Sequence, residues 1–295
     1  MTVYNLGSLN IDYVYRVDHF VRPGETLTAD SMAIFPGGKG LNQSVALARA
    51  GASVRHCGRI GQDGAFLREI LREAGADVRH VETDAGPTGH ALIQVEQSGQ
   101  NCILLYPGTN RTMTEEFIRR ALAEAGRGDI LLLQNETNGL EAAFAIAAEK
   151  NMRIALNPSP FDARLKDLPL EQVSWWLCNE VEGAALTGET EPEAMARCFR
   201  RRYPHGALVL TLGGDGCLYG DGDGLRRQAA FSVPAVDTTA AGDTFTGYFL
   251  AGIAAGRPVE ETLRQASAAA ALAVSRPGAS VSVPTMAETL QFLQA

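Results

Sequence analysis

The stretch Asp237-Thr-Thr-Ala-Ala-Gly-Asp-Thr-Phe-Thr-Gly247 joins two kinds of sequence pattern. Ahead of it, Phe231 to Val236 is apolar with one proline, which suits the end of a strand. Behind it, Phe245, Phe249 and Ile253 recur among alanines at the spacing of a helix. The junction falls at Ala240-Ala241-Gly242. The first N–H groups of a helix have no internal partner, and the macrodipole adds partial positive charge there. Small side chains at that point let a phosphate approach closely. Asp243 sits at the same helix start. It is either a first-turn charge, worth up to about 1 kcal/mol, or, beside a bound anion, the base that takes a proton from an attacking hydroxyl.

Outward from this junction the chain reads as β-α repeats. Short apolar runs occur at Ile130 to Leu133, Arg153 to Leu156, Trp175 to Cys178 and Ala207 to Leu210, with helical stretches between them. Thr114 suits an N-cap, with Glu115 and Glu116 favouring the helix start. Two alanine-rich helices follow the junction, Asp243 to Ala255 and Val259 to Val274. This alternation predicts a mainly parallel sheet with helices on both faces. Each run ends on polar residues: Gln134-Asn-Glu136, Asn157-Pro158, Asn179 with Glu182, and Thr211. Ligands of open α/β sheets bind at those carboxyl ends.

The N-terminal third is different in kind. Val3 to Leu6 reads as a buried strand ending at Gly7-Ser-Leu-Asn-Ile-Asp12, where Asn10 and Asp12 either make a turn or meet a polar ligand. Tyr13 to Val17, Leu27 to Phe35, Thr88 to Glu96 and Cys102 to Tyr106 predict short strands, the last two forming a hairpin around Gln97-Ser-Gly-Gln100. Between them, Pro36-Gly-Gly-Lys-Gly-Leu-Asn42 feeds a helix that stops near Gly51. It matches neither a P-loop nor a dinucleotide fingerprint. A second helix carries Phe66, Leu67, Ile70 and Leu71 on one face, with Gly75 behind it. Tyr13 and Tyr15 either pack on a sheet or stack on a ring. Thr211-Leu-Gly-Gly-Asp-Gly216 is a glycine-rich turn after a strand, and Leu225 to Phe231 reads as a hairpin return.

Bulk properties narrow the classes. A chain of 295 residues can bury a large core. Its net charge of -8, with no basic stripe, argues against a nucleic-acid footprint. Five scattered cysteines without metal-ligand spacing suggest reduced thiols and a cytoplasmic setting. No signal peptide is read at the start, and Ala268 to Val274 is too short to span a bilayer.

The motifs together resemble the ribokinase (pfkB-type carbohydrate kinase) family. Asp237-Thr-x-Ala-Ala-Gly-Asp243 is similar to its C-terminal signature, in which most members have Gly where Ala240 stands. Gly7-Ser-x-Asn-x-Asp12, Gly37-Gly-Lys-Gly-x-Asn42, Leu-Leu-Gln-x-Glu136 and Asn179-x-x-Glu182 follow in family order, with Asn135 where a Leu is usual. The resemblance implies a three-layer α/β/α fold with a small β-sheet lid. It implies a core of 1–12, 36–87 and 107–295 and a lid of 13–35 and 88–106. It implies an ATP-dependent sugar kinase that phosphorylates D-ribose at O5. A kinase for another furanose (a nucleoside or a fructose-like sugar) and an idle sugar sensor are the alternatives.

The resemblance also assigns roles. Asp243 is the base, and Ala240, Ala241 and Gly242 form the anion hole. Asn10, Asp12, Gly38, Lys39, Asn42 and Glu136 hold the sugar. Asn179, Thr211, Gly213, Gly214, Gly216 and Ser267 bind the nucleotide, together with Ala241 and Gly242. Ser267 stands where related proteins have His. Glu182 supports Mg²⁺ through water, and Asp237, Thr239, Ala273, Arg276, Gly278 and Ser282 cage K⁺. A homodimer through the lid is the expected assembly.

Overall fold

The computed structural model describes residues 1–294. Among these, nine strands form one sheet: β1 Thr2–Leu6, β4 Ser53–Ile60, β5 Asp77–Thr83, β8 Ile130–Gln134, β9 Arg153–Asn157, β10 Val173–Asn179, β11 Ala207–Thr211, β12 Cys217–Asp221 and β13 Gly224–Gln228. Their order is β13-β12-β11-β10-β9-β8-β1-β4-β5. From β11 to β5 every pair is parallel, and β12 and β13 close one edge as an antiparallel hairpin.

Apolar side chains alternate across this sheet, because successive residues of a strand point to opposite faces. Val3, Ile130, Leu132 and Val209 join one core, and Leu6, Leu131, Leu133, Leu208 and Leu210 join the other. The first core is covered by α1 Lys39–Arg49, α2 Ala65–Ala74, α7 Ala241–Ala254 and α8 Val259–Val274, with α9 Met286–Gln294 beside α8. The second is covered by α3 Glu115–Ala121, α4 Leu140–Glu149, α5 Glu180–Thr187 and α6 Pro192–Arg202. Strands apolar on both faces are the mark of a parallel sheet buried on both sides. The local signals act as read: Thr114 Oγ1 accepts from Phe117 N–H, and Gly75 ends α2 with φ of 98°.

The remaining strands, β2 Asn10–Arg16, β3 Ser31–Gly37, β6 Gly89–Val95 and β7 Asn101–Tyr106, form a second sheet in the order β3-β2-β6-β7. Two antiparallel pairs join through parallel pairing of β2 with β6. Asn10 pairs with both Gly37 and Gly89, so the base of this sheet lies where the chain leaves the core.

Three expectations need correction. Residues Leu27 to Asp30 are not strand; the pairing starts at Ser31, whose neighbours on β2 set the register. Phe231 to Val236 forms no ladder either, and Val236 N–H instead bonds Val274 O at the end of α8. Helix α7 begins at Ala241 rather than Asp243, because Ala240 takes the left-handed conformation that turns the chain into it.

Candidate active site at the start of α7

Ala240 sits at φ 60° and ψ 11°, and no side chain caps the helix it opens. Thr244 N–H is the first to bond back, to Ala240 O at 2.8 Å. Ala241 N–H is already used, donating to Thr238 O at 3.3 Å. Among the described residues, the N–H groups of Gly242 and Asp243 have no partner. The anion hole read from the sequence therefore rests first on Gly242.

Asp243 is buried, yet both carboxylate oxygens are satisfied. Asn42 Nδ2 donates to Oδ2 at 3.0 Å, and Gln43 Nε2 donates to Oδ1 at 2.8 Å. The packing of α1 on α7 makes this possible. A Cβ at Gly247 would lie 2.4 Å from Ala46 Cβ and 2.8 Å from Leu47 N, so only glycine lets the two helices approach this closely. Gln43 has no place in a sequence motif read by residue type. Its partner lies 200 residues away, and only the helix contact reveals it.

The sugar candidates gather beneath the small sheet. Glu136 Oε2 accepts from Lys39 N–H at 3.1 Å and from the Ser8 hydroxyl, a contact that sequence reading missed. Asn10 Oδ1 accepts from Asn110 Nδ2 at 2.7 Å, and Asn110 also bonds both backbone groups of Leu9. Asn110 thus holds the β1–β2 turn. A Cβ on Gly38 would come within 2.9 Å of Ser8 O, and its φ of 92° also suits glycine. Asn42 faces Asp243 with its amide nitrogen, while its Oδ1 is buried and unpartnered. Lys39 is held above its ordinary pKa, chiefly by the Asp243 carboxylate.

Burial, reinforced by the Glu136 charge, pushes the Asp12 pKa up to about 6. Its carboxylate is therefore charged above that pH and neutral below it. If the charged form accepts hydrogen bonds from the sugar, the sugar KM rises about tenfold between pH 7 and pH 5 while kcat at saturation changes little. Initial rates at both pH values check this, and a flat KM removes Asp12 as a charged ligand.

Two adjoining cavities open at the start of α7. One of about 240 Å³ is lined by Lys39, Asn179, Glu182, Gly242 and Asp243 among others. The wider, about 530 Å³, is lined by Thr211, Gly213, Gly214, Gly216 and Ser267, with Phe231, Val233 and Val274 supplying an apolar wall. Thr211, Thr238, Ala241, Gly242 and Phe245 line both. Ser267 Oγ lies 3.8 Å from Cys217 Sγ.

Asn179 and Glu182 form a reciprocal capping box at α5, with Asn179 N–H to Glu182 Oε2 and Glu182 N–H to Asn179 Oδ1 both 2.9 Å. Capping engages only Oε2 of Glu182. One carboxylate at a phosphate-sized cavity suits Mg²⁺, which takes one or two carboxylates plus substrate phosphates. At the far side, Asp237 accepts from Thr239 N–H at 2.9 Å and from Gly278 N–H at 3.0 Å. Ala273 O accepts from Arg276 N–H, Ser282 Oγ donates to Ala279 O, and the Ser280 hydroxyl is buried without a partner. The oxygens at this place, the Asp237 carboxylate, the Ala273 carbonyl and the Ser280 and Ser282 hydroxyls, are of the kind that suit a hard cation.

A model of the pfkB family carbohydrate kinases matches residues 2–286. The chain is 37% identical to the ribokinase of Haemophilus influenzae, over 99% of this chain and 98% of that one. Its fold superposes on the crystal structure of ribokinase from Thermotoga maritima with a TM-score of 0.88, at 33% identity over 100% and 99% of the two chains. It superposes on Arabidopsis thaliana ribokinase complexed with ribose and ATP with a TM-score of 0.86, at 28% identity over 99% and 98%. An uncapped helix start beside a buried carboxylate, on this fold and with these relatives, has one reading: the chain belongs to the pfkB family of carbohydrate kinases.

Proposed function

We propose that the protein is an ATP-dependent ribose kinase that makes D-ribose 5-phosphate and ADP. One observation carries the chemistry: Asp243, its carboxylate held by two amide donors, lies beside the free N–H of Gly242 where the two cavities meet. Asp243 takes the proton of the ribose 5-hydroxyl, and that oxygen attacks the γ-phosphorus of ATP. The bond from the γ-phosphorus to the bridging oxygen breaks, and ADP leaves. The free N–H of Gly242, at the start of the helix that the Ala240 and Ala241 turn opens, stabilises charge on the transferred group. Asn10, Asp12, Gly38, Asn42 and Glu136 orient the sugar. Lys39 lines the smaller cavity, which supports a role for its charge on the phosphoryl side as well.

Thr211, Gly213, Gly214, Gly216 and Ser267 take the nucleotide in the wider cavity. Glu182, with Asn179, would hold Mg²⁺ through water, and the ion would neutralise phosphate charge. Asp237, Thr239, Ala273, Arg276, Gly278 and Ser282 would hold K⁺, which would add fixed positive charge beside the anion hole. We place the protein in the cytoplasm, which free cysteines support, and no helix among the described residues is long and apolar enough to cross a membrane. We also infer a homodimer through the small sheet, where Met32, Ile34, Ile103, Leu104 and Leu105 lie exposed.

The direct assay is ADP release from ATP and Mg²⁺ with KCl on adding D-ribose, against inosine, adenosine and D-fructose. Turnover with ribose well above the others is expected. Turnover only with a nucleoside or fructose refutes ribose as substrate and keeps the kinase. A second test separates fold from chemistry. A Cβ on Gly242 meets nothing within 4 Å. Gly242→Ala therefore keeps or raises thermal stability, since alanine is the better helix former by up to about 1 kcal/mol. It nevertheless crowds the phosphate, and kcat is expected to fall at least tenfold. An unchanged kcat removes close phosphate approach at this point.

A further inference from the structure

Behind Asp243 runs a chain of buried primary amides. Gln43 Oε1 accepts from Gln134 Nε2 at 2.7 Å, and Gln134 Nε2 also donates to Asn5 Oδ1 at 2.9 Å. Asn5 Nδ2 donates to Gly40 O and to Ser44 Oγ, both at 2.8 Å. All three side chains are wholly buried, and none lines either cavity. Gly40 O can only accept, so it fixes which way Asn5 faces. Asn5 then offers its carbonyl to Gln134, and Gln134 offers its nitrogen to Gln43. The last member has no choice left: Gln43 must present N–H groups to the carboxylate.

From this we infer that Gln43 is a positioning residue for the phosphoryl transfer, aimed by Gln134 and Asn5 so that it holds the Asp243 carboxylate oriented toward the acceptor hydroxyl. It touches no substrate and acts through Asp243. A network placed only for stability would need no particular end to point at the base. Here a backbone carbonyl at the start of α1 sets the donor direction at the base through three side chains. The idea rests on Asp243 being the base of the proposed kinase.

The charged groups facing Asp243 are Lys39 from α1 and Glu182 from α5, with Glu136 next to Lys39. His56, paired with Ser44 at the far end, is buried, and burial pushes its pKa down to about 4. The test substitutions leave all of these in place.

The test uses the full-length enzyme and whichever acceptor the wild type phosphorylates, so a wrong sugar does not affect it. Gln43→Leu removes the donor. The expected result is a kcat lower by about ten- to a hundredfold, with both KM values at pH 7 within threefold, and an acid limb of the kcat profile, read at saturating acceptor so that Asp12 does not enter, shifted to higher pH. Gln43→Glu is nearly isosteric and sets a second carboxyl against the first. Its acid limb should move further, by about one pH unit or more, with activity recovering at high pH. Gln134→Leu should cause a smaller kcat loss, and the Gln43→Leu, Gln134→Leu double variant should be no slower than Gln43→Leu alone. An acid limb that stays put in both Gln43 variants, or losses that multiply in the double variant, overturns the inference. If Gln43→Leu does not fold, Gln43→Glu alone decides by its pH profile.

Discussion

Asp243→Asn is expected to lower kcat by about a thousandfold or more while ribose affinity stays within about threefold. General-base catalysis contributes about 10² to 10⁴ in rate, and asparagine cannot take the proton. Its cost to stability is separable. Asp243 accepts from both Asn42 and Gln43. An asparagine offers one acceptor where two are needed, so one buried N–H loses its partner at about 1–3 kcal/mol. Steady-state rates, with ribose binding measured by calorimetry, check the kinetic claim. Near-normal turnover removes Asp243 as the base, and a matching loss of ribose affinity makes it a sugar ligand instead.

The second large effect concerns Gly40. A Cβ there would lie 2.3 Å from Ser8 N, 2.4 Å from Gly7 C and 2.5 Å from Gly7 Cα. All three are backbone atoms at the end of β1, and none can rotate aside. Leu41 N–H bonds Ser8 O across the same junction. Gly40→Ala must therefore push α1 from β1, which we expect to destabilise by about 3–5 kcal/mol and to lower Tm by roughly 10 °C. Lys39, Asn42 and Gln43 ride on α1, so surviving enzyme should also lose kcat. Thermal unfolding monitored by circular dichroism reads this directly, and a Tm within 2 °C of the parent refutes it.

Much of the architecture was legible because it rests on local pattern. The apolar runs of β8 to β11 and the faces of α2 and α8 encode period and burial in a few residues each. The small sheet was legible as strands, but its β3 boundary was not. Leu27 to Asp30 has strand-like composition, and only the partner on β2 decides where pairing begins. Phe231 to Val236 misled for a related reason, since its apolar side chains supply cavity wall rather than sheet. In the site, motif spacing singled out Asp243, Asn42 and Glu136, and the structure brings Asn42 to Asp243 and Glu136 to Lys39. Ser8, Gln43 and Asn110 were not, because their roles come from contacts across 128, 200 and 101 residues. Asn179 and Glu182 cap a helix, as their spacing allows, and the same two residues line the cavity.

Ala240 carries one further consequence. A left-handed alanine is disfavoured by about 1–2 kcal/mol, and only Asn151 shares this departure among the described non-glycine residues. Glycine would relieve that strain, but it would also let the loop wander when no phosphate is present. With alanine the turn is set when the chain folds, so less disorder remains to be lost when a nucleotide arrives. In the proposed kinase a little folding stability is thereby traded for a phosphate cradle whose shape exists before its guest.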